Sequence, residues 1–364
     1  MKKISLLISL LLTIVTLFSC NNDKYQFLKF IFDGYLNTEC SITIEYNKKE
    51  TSKSKVTKDI YSDIENILKQ AELTFSMFND STVNTINQNS NKLDSLGNPI
   101  YTKVSKEFID ILNISINLSI IHEGFDITIG SLTKLWDISN QAQYCYINNT
   151  CKIPSKNEIS EALSKVDYNN ILINQETNSV YLSNEAQLDF GAIAKGYITN
   201  QIKEYFKTKN YNFYVINLGG NIYINGSSKI YENKNEELLI SVENPLNINP
   251  NLIDIKLYNE SISTTSSTYR YIEVDEIKYS HIINSKTGYP VDNELLQVSI
   301  IGEDATLVDA LSTICFIKGL NEGTNYLLEN NLKGIFVTKD KKIYVVGDIN
   351  YQQTNSEFQI FERK

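Results

Sequence analysis

With two histidines in 364 residues, His122 and His281, the chain cannot assemble a His-rich zinc site. Five cysteines are too few and too scattered for a disulfide-stapled scaffold. No internal repeat occurs, and no linker divides the sequence, so a single elaborated domain is the expected organisation. A cationic surplus is also missing. The 34 Lys and Arg face 43 Asp and Glu, a formal charge of −9, and loss of Lys2 and Lys3 with a leader makes the balance more acidic still. That balance argues against nucleic acid and against an electrostatic grip on anionic lipid. The N-terminal apolar run, residues 4–18, is about 15 residues long and falls short of the ~20 that cross a bilayer.

What that run does carry is a basic start, Met1-Lys2-Lys3, and the ending Leu17-Phe18-Ser19-Cys20. A basic n-region, a short apolar stretch and a small residue before cysteine make a lipoprotein-type secretory signal. The expectation is a signal peptide over 1–19, cleavage before Cys20, lipid on its sulfur and nitrogen, and a lipidated tether over 20–33 ahead of one domain over 34–364. Such a protein is extracytoplasmic and held to the cell membrane, provided that more than one acyl chain is attached. Cys145 and Cys151 flank a five-residue turn and are either bridged locally or free. Cys315 lies on the apolar face of a helix and reads as a buried small hydrophobe.

Hydrophobic periodicity predicts a mixed fold. Residues 41–46 alternate as a strand, and 61–75 and 108–121 show helical spacing. Ser155 and Glu158, after Pro154, form a capping box for a helix through Val166. Residues 171–173 and 180–182 make a hairpin, 193–206 a helix, and 214–218 and 222–224 two strands joined by Gly219-Gly220-Asn221. The glycines there are followed by a strand, so they mark a turn and not a dinucleotide fingerprint. Residues 227–237 and 244–251 read as loops.

Two segments carry chemistry on their own terms. Asp309 and Thr313 lie one helical turn apart in an otherwise apolar pattern, beside Leu307, Ala310, Leu311 and Ile314. Either they face inward as two hard oxygen donors for Mg2+ or Ca2+, or Asp309 is solvated and Thr313 bonds back to its own helix. Asp189-Phe190-Gly191-Ala192-Ile193-Ala194-Lys195-Gly196 is a glycine-marked turn into a helix, with Lys195 one turn in. It is either an anion site or an ordinary turn with a solvent lysine.

Together with Gly124-Phe125-Asp126-Ile127-Thr128-Ile129-Gly130, Leu132-Thr133-Lys134-Leu135-Trp136 and Tyr279-Ser280-His281-Ile282-Ile283-Asn284-Ser285-Lys286-Thr287-Gly288-Tyr289-Pro290, in this order, these segments resemble the ApbE family of FAD:protein FMN transferases. The resemblance implies an α+β, T-fold-like single domain with mixed and antiparallel sheets and packed helices. It implies FAD as substrate and Mg2+ held by the Ala192 carbonyl, Asp309 and Thr313. FAD contacts are implied at Leu36, Phe78, Gly124, Phe125, Asp126, Asp189, Lys195 and Ile283. The partner implied is a redox protein whose Thr or Ser hydroxyl accepts FMN as AMP leaves. His281 then serves either as general base, with Lys195 as the other catalytic group, or as a phosphate-bonding or core residue; His122 and Trp136 read as structural. Asn284-Ser285 replaces the usual Asp-Pro, and 264–267 lacks the usual glycine. Two rivals share the same site: a Mg2+-dependent FAD pyrophosphatase giving FMN and AMP, and a non-enzymatic FAD-binding lipoprotein.

Overall fold

The computed structural model describes residues 24–142, 151–209, 211–234, 236–246 and 251–364. The signal segment, Cys20 and Cys145 lie outside the described residues. Nine strands form one twisted sheet whose spatial order follows the chain: β1 (Tyr25–Tyr35), β2 (Thr38–Asn47), β3 (Tyr214–Leu218), β4 (Asn221–Asn225), β5 (Glu260–Ser266), β6 (Leu295–Gly302), β7 (Lys333–Thr338), β8 (Lys342–Val346) and β9 (Gln359–Arg363). Pairing is antiparallel except for β8 with β9.

The period of two along each strand sends alternate side chains to two cores. Tyr214, Ile216, Leu218, Tyr223, Val298, Ile300 and Phe336 join the main core on the helical face. Ile222, Ile224, Ile262, Ile335, Val337, Ile343 and Val345 meet a small three-stranded sheet on the other face. Eight helices lie wholly within the described residues: α1 (Lys53–Phe75), α2 (Thr82–Gln88), α3 (Lys106–Ile121), α4 (Gly130–Trp136), α5 (Lys156–Leu163), α6 (Ala194–Lys209), α7 (Lys229–Lys234) and α8 (Ala305–Glu329), the last broken at Gly319 by φ 77° and ψ −178°. Trp136 is fully buried in a third, smaller core with Leu132, Ile159, Ile272 and Ile283, and its indole N–H donates to the Gly288 carbonyl at 2.9 Å.

Several expectations change. Residues 25–33 are not tether: they are most of β1, paired along β2, which leaves only Asn21 to Lys24 between Cys20 and the sheet. The charged stretch after Ser227 contains α7, because the buried Glu45 carboxylate accepts from the Lys229 and Ile230 N–H groups and so caps the helix start. The capping box at Ser155 forms in both halves, although α5 ends at Leu163 and not at Val166. Cys151 is disulfide-bonded, while Cys40 and Cys315 are free and buried; burial pushes the Cys315 thiol up to about 12, which makes it an inert core residue.

Candidate active site

The site forms where α6, α8 and β5 converge. Asp309 on α8 is only 3% exposed, which removes the solvated reading. Its Oδ2 accepts from the Gly196 backbone N–H at 2.9 Å, its Oδ1 accepts from the Ser263 hydroxyl at 2.9 Å, and the Lys195 ammonium lies 3.8 Å from Oδ1. A buried carboxylate with two donors and a cation nearby has its desolvation compensated.

The Gly196 bond has a second effect. In an ordinary first turn that N–H would donate to the carbonyl four residues back, at Ala192. Here it is diverted to Asp309, and no hydrogen bond reaches the Ala192 carbonyl among the described residues. A carboxylate and an unclaimed carbonyl therefore flank the start of one helix. The third expected donor, Thr313, is half-buried and does not bond back to its helix; its hydroxyl meets that of Thr265 at 3.1 Å. Ser312 takes the back-bonding role instead, donating to the Asp309 carbonyl at 2.8 Å. Leu307, expected beside the donors, is 39% exposed and points away.

Gly196 is required by packing. A Cβ there would lie 2.1 Å from the Ala305 carbonyl oxygen and 2.7 Å from Asp309 Cβ. Gly196→Ala is expected to force α6 and α8 apart, destabilising by about 3 kcal/mol and displacing Asp309. Denaturant unfolding alongside transfer assays would check this; wild-type stability in the variant would refute the close-packing argument.

The turn ahead of α6 is pinned from both sides. The Asn87 carboxamide bonds the Leu188 N–H at 2.7 Å and its carbonyl at 2.9 Å. Asp189 accepts from Thr133 Oγ1 and from the Gly191 N–H, each at 2.8 Å, so this carboxylate shapes the turn. Lys195 folds back toward the Gly191 carbonyl, at 3.4 Å.

His281 sits on the loop after the strand Ile277–Ser280, within reach of the Lys195 charge. Its backbone N–H and its Nδ1 both point at the Arg270 carbonyl, at 3.0 and 3.1 Å. That fixes Nδ1 as donor and leaves Nε2 with the lone pair. The residue is open to solvent yet set among enough protein to be desolvated; desolvation, then the Arg270 charge and the more distant Lys195 charge, pull the imidazole down to about 4. Arg270 in turn donates to the Asn37 carbonyl at 3.3 Å, tying the Leu36–Asn37 turn to the residue that holds His281. Leu36 itself is half-buried there with φ 54°, its N–H bonded to Glu72.

Other expected residues are used differently. Gly124 has φ 88° and packs on the Asn284 turn, where a Cβ would meet the Asn284 side chain at 3.2 Å; its carbonyl accepts from Ser285. Phe125 and Ile283 bury their side chains in cores, so neither presents its side chain to a ligand. Asp126 spends its carboxylate on Thr128 and on the Tyr168 N–H. Phe78, at 62% exposure, is an open aromatic face as a stacking residue requires. Asn284 replaces the family's aspartate without loss of the turn: its Oδ1 accepts from Lys286 N–H at 2.8 Å and its carbonyl from Gly288. Sequence reasoning missed Ser263, Thr265, Asn87 and Arg270.

A sequence profile of the ApbE family matches residues 36–336. A FAD:protein FMN transferase of Klebsiella pneumoniae (strain 342) is 29% identical over 265 residues, 71% of this chain and 78% of that one. Another from Haemophilus influenzae is 26% identical, over 75% of this chain and 76% of that one. Among solved structures, the ApbE protein of Thermotoga maritima superposes with a TM-score of 0.72 at 25% identity, covering 92% of this chain and 99% of that one. The flavin transferase ApbE of Vibrio cholerae gives 0.73 at 19% identity, over 88% and 97%.

Proposed function

The chain belongs to the ApbE family, and from that membership we propose that it moves FMN from FAD onto a Thr or Ser hydroxyl of a partner redox protein and releases AMP. The observation that carries this reading is the Gly196 N–H given to Asp309, which leaves the Ala192 carbonyl unclaimed beside a buried carboxylate. A protein that merely held FAD would gain nothing from burying that charge.

The donor set fits Mg2+: one carboxylate (Asp309), one carbonyl (Ala192) and one hydroxyl (Thr313), all hard oxygens, with room left for water and a diphosphate. Bound there, the metal would neutralise negative charge growing on the transferred phosphate. The protein's own groups do the rest. Asp189 and Thr133 hold the turn that presents the helix start, and Lys195 adds a point charge for phosphate. His281 Nε2 accepts the proton of the acceptor hydroxyl, whose oxygen then bonds the flavin-side phosphorus as the bond to the AMP oxygen breaks. The acceptor gains FMN as an ester, AMP leaves, and the proton rests on His281.

Because His281 is open to solvent, water can take the acceptor's place, and slow FAD hydrolysis is the natural side reaction. Incubating the protein with FAD, Mg2+ and an acceptor, then weighing the acceptor, separates the two. An acceptor unchanged in mass while FMN and AMP accumulate would make the protein a pyrophosphatase.

The ending Leu17-Phe18-Ser19-Cys20 supports an extracytoplasmic protein anchored by lipid on Cys20. Cys20→Ala is expected to shed the protein from membranes or to leave an uncleaved precursor. Unchanged fractionation and unchanged mass would refute the anchor.

A further inference from the structure

The whole-chain charge conceals a local concentration. From Lys48 to Lys58 the sequence KKETSKSKVTK holds five lysines against one acid, Glu50, in a chain with a net charge of −9. Lys48, Lys49, Lys53, Lys55 and Lys58 are all exposed, and none forms an ion pair with an Asp or Glu among the described residues. Elsewhere lysines are either paired, as Lys165 is with Glu185 and Lys339 with Asp292, or spaced apart along the chain, as Lys69 and Lys92 are. Two of the five, Lys53 and Lys55, occupy the first turn of α1, where the helix dipole disfavours cations.

The place of this cluster matters as much as its charge. Lys48 donates its N–H to the Lys24 carbonyl at 2.8 Å, and Tyr25 pairs with Asn47. The Glu50 and Thr51 N–H groups fold back on the Asn47 carbonyl, which holds the start of α1 at the same end. The lysines therefore surround the point at which the chain departs toward Cys20. Four residues separate Cys20 from Tyr25, five steps of chain that reach about 17 Å at most when extended, so an anchored Cys20 keeps this end of the domain close to the lipid surface. The opposite end of the β1–β2 hairpin is the Leu36–Asn37 turn, tied to Arg270 and through it to His281. β1 has 11 residues, roughly 35 Å at ~3.3 Å each.

We propose that the end of the domain bearing Lys48, Lys49, Lys53, Lys55 and Lys58 lies on an anionic bilayer surface, and that β1 thereby holds the His281 side of the active site away from the lipid, roughly 35 Å above it. The proposal rests on the lipid anchor at Cys20. A cluster of ~4–8 basic residues beside an anchor is the composition that anionic headgroups select, and lipid plus a basic patch supplies the two signals that stable attachment needs. An acceptor served by this enzyme would then present its hydroxyl well clear of the membrane, on an extramembrane domain.

The test uses the lipidated full chain in vesicles of phosphatidylcholine alone and in vesicles with phosphatidylglycerol added, treated with an amine-acylating reagent and read by peptide mass. The five lysines are expected to label several-fold more slowly in phosphatidylglycerol vesicles, with high salt abolishing the difference and with Lys339 and Lys341, at the other end of the sheet, unchanged. A variant with all five changed to Gln should transfer FMN to a soluble acceptor at the wild-type rate; Lys24, beside the anchor, should lose its own composition-dependent protection in it. Equal labelling of the five lysines in both vesicles, with a lipidated N-terminal peptide seen in the same spectra, would overturn the docking and spare the anchor. Absence of lipid on Cys20 would overturn both. Protection that appears with a soluble polyanion but not with phosphatidylglycerol vesicles would assign the patch to a macromolecular partner and overturn the proposal.

Discussion

Asp309→Asn is expected to fold as the wild type does and to lose FMN transfer by about 10³-fold or more, because a bound divalent ion supplies several kcal/mol of charge stabilisation and the substitution removes the only carboxylate offered to it here. Asn is the informative replacement. Its amide oxygen can still accept from Gly196 and its nitrogen can donate to Ser263, so both contacts made by the buried carboxylate survive in altered form. Asp309→Ala is the poorer test, since it strands the Gly196 N–H and the Ser263 hydroxyl without partners and leaves Lys195 without its nearest anion. Each stranded buried group costs about 1–3 kcal/mol, so Ala mixes misfolding with lost chemistry. The decisive measurement is transfer rate against Mg2+ concentration for Asp309→Asn, with unfolding curves beside it. A variant that is stable and fully active with an unshifted Mg2+ dependence would place the ion elsewhere.

The local chemistry of this fold was legible in the chain where one segment determines its own structure. Ser155 and Glu158 cap their helix reciprocally, Gly219 and Gly220 turn one strand into the next, and the four-residue spacing of Asp309 and Thr313 puts both on the face that meets β5. What stayed hidden depends on partners far along the chain. Residues 25–33 look like an aromatic tether until β2 pairs with them, and α7 looks like a charged loop until Glu45 caps it from 183 to 185 positions away. The hydroxyls of Ser263 and Thr265 lie two apart, hence on one face of β5, but which face is inward is settled only by register with β4 and β6. Ile262, next to Ser263, goes to the opposite core, which leaves hydroxyls as the lining beneath α8. Arg270 was likewise invisible as a site residue, since only its carbonyl's hold on His281 shows that the two act together.

His281→Ala is expected to slow transfer by about 10²–10⁴-fold, the usual contribution of a positioned base, with little change in FAD affinity. The pH dependence identifies the role. Desolvation and the neighbouring cations hold the imidazole at about 4 in the free protein, so it is neutral and able to accept a proton through the whole range above about pH 5. The base form is lost only as pH falls through that value, and the acidic limb of kcat/KM should lie near 4 and not near the ordinary 6.5. In the proposed placement of FAD, its diphosphate would lie near Lys195 and offset that charge. The imidazole in the complex should then be more basic, and the acidic limb of kcat should lie above that of kcat/KM. A histidine that served only to bind phosphate would need its charged form; activity would then rise as pH falls, and His281→Ala would lose affinity and rate together. Loss of FAD binding in the variant, with the wild-type acidic limb retained in what activity remains, would refute the base assignment. The Arg270 carbonyl offers a second check. It is a main-chain group that survives side-chain replacement, so Arg270→Gln should keep the Nδ1 hydrogen bond while removing one of the two charges that depress His281. The acidic limb of kcat/KM should move upward in that variant, toward the ordinary histidine value, and an unmoved limb would mean that the titrating group is not His281.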